Sequence, residues 1–121
     1  MSQGDPFERV REICMALPEA AEKTEGRPVF QVRGKSFVMC MDNHHNDGRL
    51  ALWCKAPPGA QEILVGSDAE RFFVPPYVGP NGWVGVRLDR EVQWDELAGL
   101  IADGYRMSAP RRLLAALENE R

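Results

Sequence analysis

Three runs with the side-chain alternation of β-strands lie close together between residues 28 and 55, and they constrain the fold more than any other feature. Residues 28–33 and 36–41 flank Gly34 and Lys35, and a two-residue connection that contains glycine predicts a tight hairpin. In the third run, residues 49–55, every second side chain falls on one face. Short hairpin connections join antiparallel strands, so these runs predict the centre of an antiparallel sheet.

Helical patterns flank this block on both sides. Asp5-Pro6 has the residue types of a helix start, and a proline ends the first helix at residue 18. We predict that residues 19–26 form a connecting loop. Further patterns predict a short helix, two strands, a third helix and a C-terminal helix. The predicted order is α-β-β-β-α-β-β-α plus the C-terminal helix, a two-layer α+β fold with a mainly antiparallel five-stranded sheet. We expect residues 1–121 to form a single domain.

The composition is that of an ordinary globular chain, with 44% hydrophobic and 27% charged residues. The net charge of -3 argues against binding nucleic acid by bulk attraction, so any such binding requires a local basic patch. There is no apolar run of membrane-spanning length, and the N-terminus MSQGDPFE lacks a signal-peptide pattern. We therefore expect a cytoplasmic protein without membrane contact, whose three cysteines are reduced.

Both histidines lie in the stretch Asp42-Asn43-His44-His45-Asn46-Asp47-Gly48. Neighbouring side chains on an extended chain point to opposite sides and rarely bind one ion together. Asn, Asp and Gly are typical turn residues, so we interpret the stretch as a hairpin tip and expect no metal site. No nucleophile with a neighbouring base, glycine-rich phosphate loop or paired acid is recognisable, so we expect neither catalysis nor a cofactor.

The basic residues suggest a more specific hypothesis about function. Arginines and lysines on strands are often only solvated, but they could also form a cationic surface that holds phosphates. The candidates are Arg33, Lys35, Arg49, Lys55, Arg87, Arg106, Arg111 and Arg112.

An alternative is a protein-interaction module. The second strand is apolar on both faces, so an uncovered outer face would expose Met39, Met41 and Trp53 as a surface for a protein partner or a homodimer. The same face could instead be buried under the C-terminal helix. A third hypothesis is a small-molecule pocket formed by Tyr77, Trp83 and the Pro75-Pro76 turn.

Four segments of the chain resemble the MmcQ/YjbR family of small bacterial proteins. They are ALPEAAEKTEGRPVFQVRGKSF, DGRLALWCK, RFFVPPYVGPNGWVGVRLD and WDELAGLIADGYRMSAPRRL, at residues 16–37, 47–55, 71–89 and 94–113. The most specific parts are Gly26-x-Pro28-x-Phe30 and the pattern from Phe73-Val74-Pro75-Pro76-Tyr77 to Gly82-Trp83.

The resemblance implies the two-layer, YjbR-like and secretion-chaperone-like fold, with the element order derived above. It also implies binding of double-stranded DNA by two hairpins that act as a double wing, and it brings no catalytic residues. In this chain the wings would be the Arg33–Lys35 hairpin and the strands joined by residues 42–48. Asp42 and Asp47 give the second tip an acidic character that is unfavourable for binding a polyanion.

Overall fold

The computed structural model describes residues 5–24 and 27–119, in which a six-stranded antiparallel sheet has the spatial order β1-β2-β3-β4-β6-β5. The strands are β1 (Ala20–Thr24), β2 (Pro28–Val32), β3 (Lys35–Asp42), β4 (Leu50–Cys54), β5 (Phe72–Phe73) and β6 (Val84–Arg87). The mixed α+β class and the antiparallel sheet are therefore confirmed.

The sheet contains one strand more than the sequence analysis predicted. Residues 20–24 were assigned to a connecting loop, but they form β1 and pair with β2 from Ala20 opposite Val32 to Thr24 opposite Pro28. The prediction was wrong because the segment AAEKT has a weak apolar pattern, and its pairing with β2 supplies the order that local propensity does not.

In the described part of the chain, four α-helices accompany the sheet: α1 (Pro6–Met15), α2 (Ala60–Ser67), α3 (Trp94–Ser108) and α4 (Arg111–Asn119). The predicted start of α1 is confirmed, since the Phe7 amide donates to Asp5 Oδ1 at 2.9 Å. Within the described residues, no helix is both long enough and apolar enough to cross a membrane.

The main core lies between the inner face of the sheet and the helices. It includes Val10 and Cys14 of α1, Ile101 of α3, and strand residues such as Leu52. A register shift between β2 and β3 at Phe30/Gln31 forms a bulge. Such a bulge allows the consecutive residues Phe37 and Val38 both to join this core.

Helix α3 packs closely against the ends of β3 and β4. A side chain at Gly104 would bring its Cβ to 2.6 Å from the carbonyl oxygen of Lys55. Beside it, the Tyr105 hydroxyl donates to the Pro18 carbonyl at 2.7 Å, and its ring meets the Phe37 ring edge to face at 5.6 Å. The absence of a side chain at residue 104 therefore determines how near α3 approaches the sheet.

We expect Gly104→Ala to destabilise the protein, because the added methyl group collides with main-chain atoms that cannot rotate away. Overpacking of this kind costs about 1–3 kcal/mol in the free energy of unfolding. Gly99→Ala, in the same helix with nothing within 4 Å of the added Cβ, is the control and should stabilise by roughly 0.5–1 kcal/mol. Urea denaturation measures both values, and equal effects would contradict the proposed close approach.

Candidate nucleic-acid interface

The predicted hairpin between β2 and β3 is confirmed, and it projects basic side chains into solvent. Arg33 and Gly34 both have positive φ values, 52° and 80°, as a type I′ turn requires. Val32 pairs with Lys35 on either side of this turn. Arg33 and Lys35 are consequently exposed together at the tip.

The ends of β4 and α3 lie at the same end of the sheet as this turn. The Lys55 amide, directly after β4, donates to the Phe37 carbonyl near the start of β3 at 3.1 Å. The Lys55 Nζ atom donates to Ser108 Oγ, in the last residue of α3, at 3.2 Å. The α3–α4 junction therefore lies at this end of the sheet, and Arg106, Arg111 and Arg112 are within three residues of it along the chain.

We call this region the hairpin end. It carries six of the eight basic residues that the sequence analysis selected: Arg33, Lys35, Lys55, Arg106, Arg111 and Arg112.

Carboxylates balance only part of this charge. Arg33 Nε lies 2.6 Å from Glu19 Oε1, and Arg106 lies 3.2 Å from Asp103. Arg33, with a smaller contribution from Arg112, lowers the pKa of Glu19. Among the described residues, Lys35, Arg111 and Arg112 have no salt bridge within 4 Å. The hairpin end thus has an excess of positive charge although the chain as a whole is acidic.

The remaining two candidates, Arg49 and Arg87, lie at the opposite end, where β4 begins and β6 ends. The Arg49 guanidinium stacks 4.0 Å from the centre of the Phe73 ring. Arg87 forms two hydrogen bonds of 2.9 Å with Asp89 and lowers the pKa of that carboxyl group. Both arginines therefore have local structural partners, and they are not continuous with the hairpin end.

The predicted turn at residues 42–48 is also confirmed. Asn43 Oδ1 accepts from the Gly48 amide at 2.8 Å, and Asp47 Oδ1 accepts from the Arg49 amide at 2.9 Å. This loop and the hairpin turn are connected by the eight residues of β3, which separates the two tips by roughly 25 Å. The acidic loop therefore lies far from the hairpin end.

The outer face of the sheet is covered at its centre by loops. The ring of His44 meets the rings of Trp53 and Tyr77 edge to face, at 5.0 and 6.0 Å. Together with Phe73, Trp83 and Val78 these side chains belong to an outer cluster that we call the aromatic cap. The sequence analysis left open whether Met41 and Trp53 are exposed. Both are at least 97% buried, and loops cover them rather than the C-terminal helix.

The loop that contributes Tyr77 and Trp83 is held in place by α2. Gln61 Nε2 donates to the carbonyls of Gly79 and Trp83, at 2.9 and 2.6 Å. Tyr77 has a φ of 67° and remains 69% exposed, whereas Trp83 is buried. The two aromatic residues of the hypothetical small-molecule pocket therefore differ in accessibility, and only the tyrosine faces solvent.

All three cysteines are buried. Desolvation raises the pKa of Cys40 and of Cys54 to about 12, and it raises the pKa of Cys14 further. A thiol with so high a pKa has almost no thiolate at neutral pH and is a poor nucleophile. Within the part of the chain that the structure describes, no three His, Cys, Asp or Glu side chains lie together as a metal site would require.

We expect the three thiols to react with an aromatic disulfide reagent only after unfolding. Because the pKa values are raised in the folded state, an increase in pH from 7 to about 9 should accelerate the reaction of denatured protein but scarcely that of native protein. Absorbance of the released thiolate measures both rates. A native thiol whose reaction rate rises over this range would contradict burial as the cause.

The fold is that of a small α+β protein with basic residues at the hairpin end. The family model YjbR matches residues 15–107, so the chain belongs to the YjbR family. The crystal structure of Deinococcus radiodurans protein DR2400, of domain family DUF419, is similar with a TM-score of 0.69 and 24% identity, over 84% of this chain and 76% of that one. A search of curated proteins finds no match.

Proposed function

We propose that this member of the YjbR family is a non-enzymatic protein that binds double-stranded DNA through phosphate contacts at the hairpin end. The observation that carries the proposal is that six basic residues, from the β2–β3 turn, the start of β3, the end of β4, α3 and α4, lie at one end of an acidic chain. Because local charge rather than net charge attracts a polyanion, this excess is the feature that phosphates would recognise.

The existing ion pairs at this end do not prevent phosphate binding. The side chains of Arg33 and Glu19 are 39% and 51% exposed, and those of Arg106 and Asp103 are exposed to a similar degree. Solvent-exposed pairs contribute only about 0–1 kcal/mol. Arg33 and Arg106 can therefore exchange these carboxylates for phosphates, while Lys35, Arg111 and Arg112 are available directly.

The proposed contacts position a duplex without reading its sequence. The candidate side chains are arginines and lysines on a short turn and at helix ends, and contacts from such groups to phosphates carry no base information. The proposal uses the Arg33–Lys35 hairpin as a wing. It leaves out the second wing of a double-wing arrangement, because the acidic loop at residues 42–48 would repel the same duplex.

The absence of catalysis in this proposal is supported by the surroundings of the nucleophilic groups. Each cysteine lies in the apolar core with a raised pKa. The His44 ring packs in the aromatic cap against Trp53 and Tyr77. Among the described side chains, these groups are positioned for packing and not for attack on a substrate.

We expect binding to a short labelled DNA duplex to weaken steeply with salt. Lys35→Ala removes one proposed phosphate contact, so the slope of log K against log salt should fall by about 0.9. Arg90→Ala changes the net charge equally, but Arg90 follows β6 at the opposite end, and its slope should match that of the wild type. Fluorescence anisotropy over a salt series measures each slope.

Two outcomes would overturn this proposal. Equal losses in the Lys35 and Arg90 variants would indicate attraction by bulk charge without a defined surface. No binding at low salt would exclude DNA as the ligand of this chain.

A further inference from the structure

A groove with a volume of about 500 Å³ lies between the start of α1 and the connection from β6 to α3. We call it the Trp94 groove, after the aromatic residue in its lining. Its volume is in the range that is common for small-molecule sites. Because α3 has 15 residues, its two ends are roughly 22 Å apart. The Trp94 groove is therefore separate from the hairpin end, where α3 ends.

Part of the lining is apolar and firmly held. Leu88 is buried in the main core, and Val92 and Trp94, both half-buried, pack against that core. These side chains keep their positions because the core fixes them. They offer an apolar surface against which the hydrocarbon part of a ligand can be removed from water.

Two charged side chains of the lining have no ion pair. The Arg9 guanidinium lies over the Trp94 ring, with Cζ 5.0 Å from the ring centre. Among the described residues, no carboxylate lies within 4 Å of Arg9, and no basic group lies within 4 Å of Glu91. Arg90 differs, since it lies 3.7 Å from Asp89. The described lining thus offers one cation and one anion to a ligand.

The two unpaired charges can be used at the same time. Arg9 and Glu91 line the same groove without forming a salt bridge with each other, so ligand atoms can lie between them. Contact with Trp94 uses the face of the guanidinium, and its N–H donors at the edge can hold a carboxylate in a bidentate manner. The Glu91 carboxylate can accept from an ammonium group.

We propose that the Trp94 groove binds a free α-amino acid with a large apolar side chain. The ligand carboxylate pairs with Arg9, its ammonium group pairs with Glu91, and its side chain contacts Leu88, Val92 and Trp94. An α-amino acid carries both charges on one carbon atom, next to its side chain, and this combination matches the lining.

An amino acid fits the groove better than a simple anion or a simple amine. A carboxylate without an ammonium group would bring a second negative charge close to Glu91, and an amine without a carboxylate would bring a second positive charge close to Arg9. Like charges at short distance repel each other. Only a ligand with both groups is attracted by both side chains.

Residues 1–4 precede α1 and lie outside the described residues. Their sequence, Met-Ser-Gln-Gly, contains no acidic and no basic side chain. They therefore add no charged side chain to those that the proposal uses.

Isothermal titration calorimetry with four compounds tests the match between ligand and lining. L-phenylalanine should bind saturably with one molecule per chain. 3-Phenylpropionate lacks the ammonium group and phenethylamine lacks the carboxylate, so each should bind roughly tenfold or more weakly. Glycine, which has both charges but no apolar side chain, should also bind roughly tenfold or more weakly.

Two variants assign each charge of the ligand to its partner. Arg9→Gln should weaken binding of L-phenylalanine by roughly tenfold or more but should not weaken binding of phenethylamine. Glu91→Gln should weaken binding of L-phenylalanine similarly but should not weaken binding of 3-phenylpropionate. Both residues are exposed, so the melting temperatures should stay close to that of the wild type. Lys35→Ala, at the hairpin end, is the control and should bind L-phenylalanine as the wild type does.

Several results would overturn the proposal. No saturable binding of L-phenylalanine would exclude this ligand class. Equal binding of all four compounds, or equal losses for every compound in both variants, would show that the two charges do not recognise the ligand. A chain without residues 1–4 should bind L-phenylalanine as the full chain does, and binding by the shortened chain alone would assign the groove to that segment.

Discussion

Strand β3 is apolar on both faces, and much of the remaining structure follows from the need to bury both. Its inner face, with Cys40, is covered by helices in the way that a two-layer fold provides. Its outer face, with Met41, has no helix above it and is covered by the aromatic cap instead. Because the cap is built from His44 and from the loop that carries Tyr77, burying one strand also determines the position of two loops.

The aromatic cap covers only part of the outer face of the sheet. The cap covers the side of the sheet near β4 and β6, where Trp53 and Phe73 lie. It ends at Met39, which is only half-buried and which lines a shallow groove together with Val29 and Gln31 of β2. The hairpin end stays free for a different reason, since a type I′ turn with Arg33 and Lys35 at its tip has no apolar surface to bury.

Local patterns predicted the fold well but predicted the surfaces poorly. The strand alternation at residues 28–55, the cap at Asp5 and the glycine at residue 34 depend on neighbouring residues, so they could be recognised from the chain alone. The edge strand β1 could not, because AAEKT acquires its conformation by pairing with β2. Nor could the contact between His44 and Tyr77, which are distant in sequence and meet only because both loops cover Trp53.

The distribution of charge over the surface could not be predicted from the sequence alone either. This distribution explains how an acidic chain can attract anions. Positions on predicted strands, at a turn and near a helix junction selected eight basic residues, but only the fold separates the six at the hairpin end from Arg49 and Arg87, which have local structural partners. The acidic loop at residues 42–48 is held away from them by the length of β3. Since screening in physiological salt acts over about 8 Å, charges separated by roughly 25 Å act independently. Net charge therefore predicts little about the hairpin end, and the positions of the carboxylates around each basic group decide which of these groups a ligand can use.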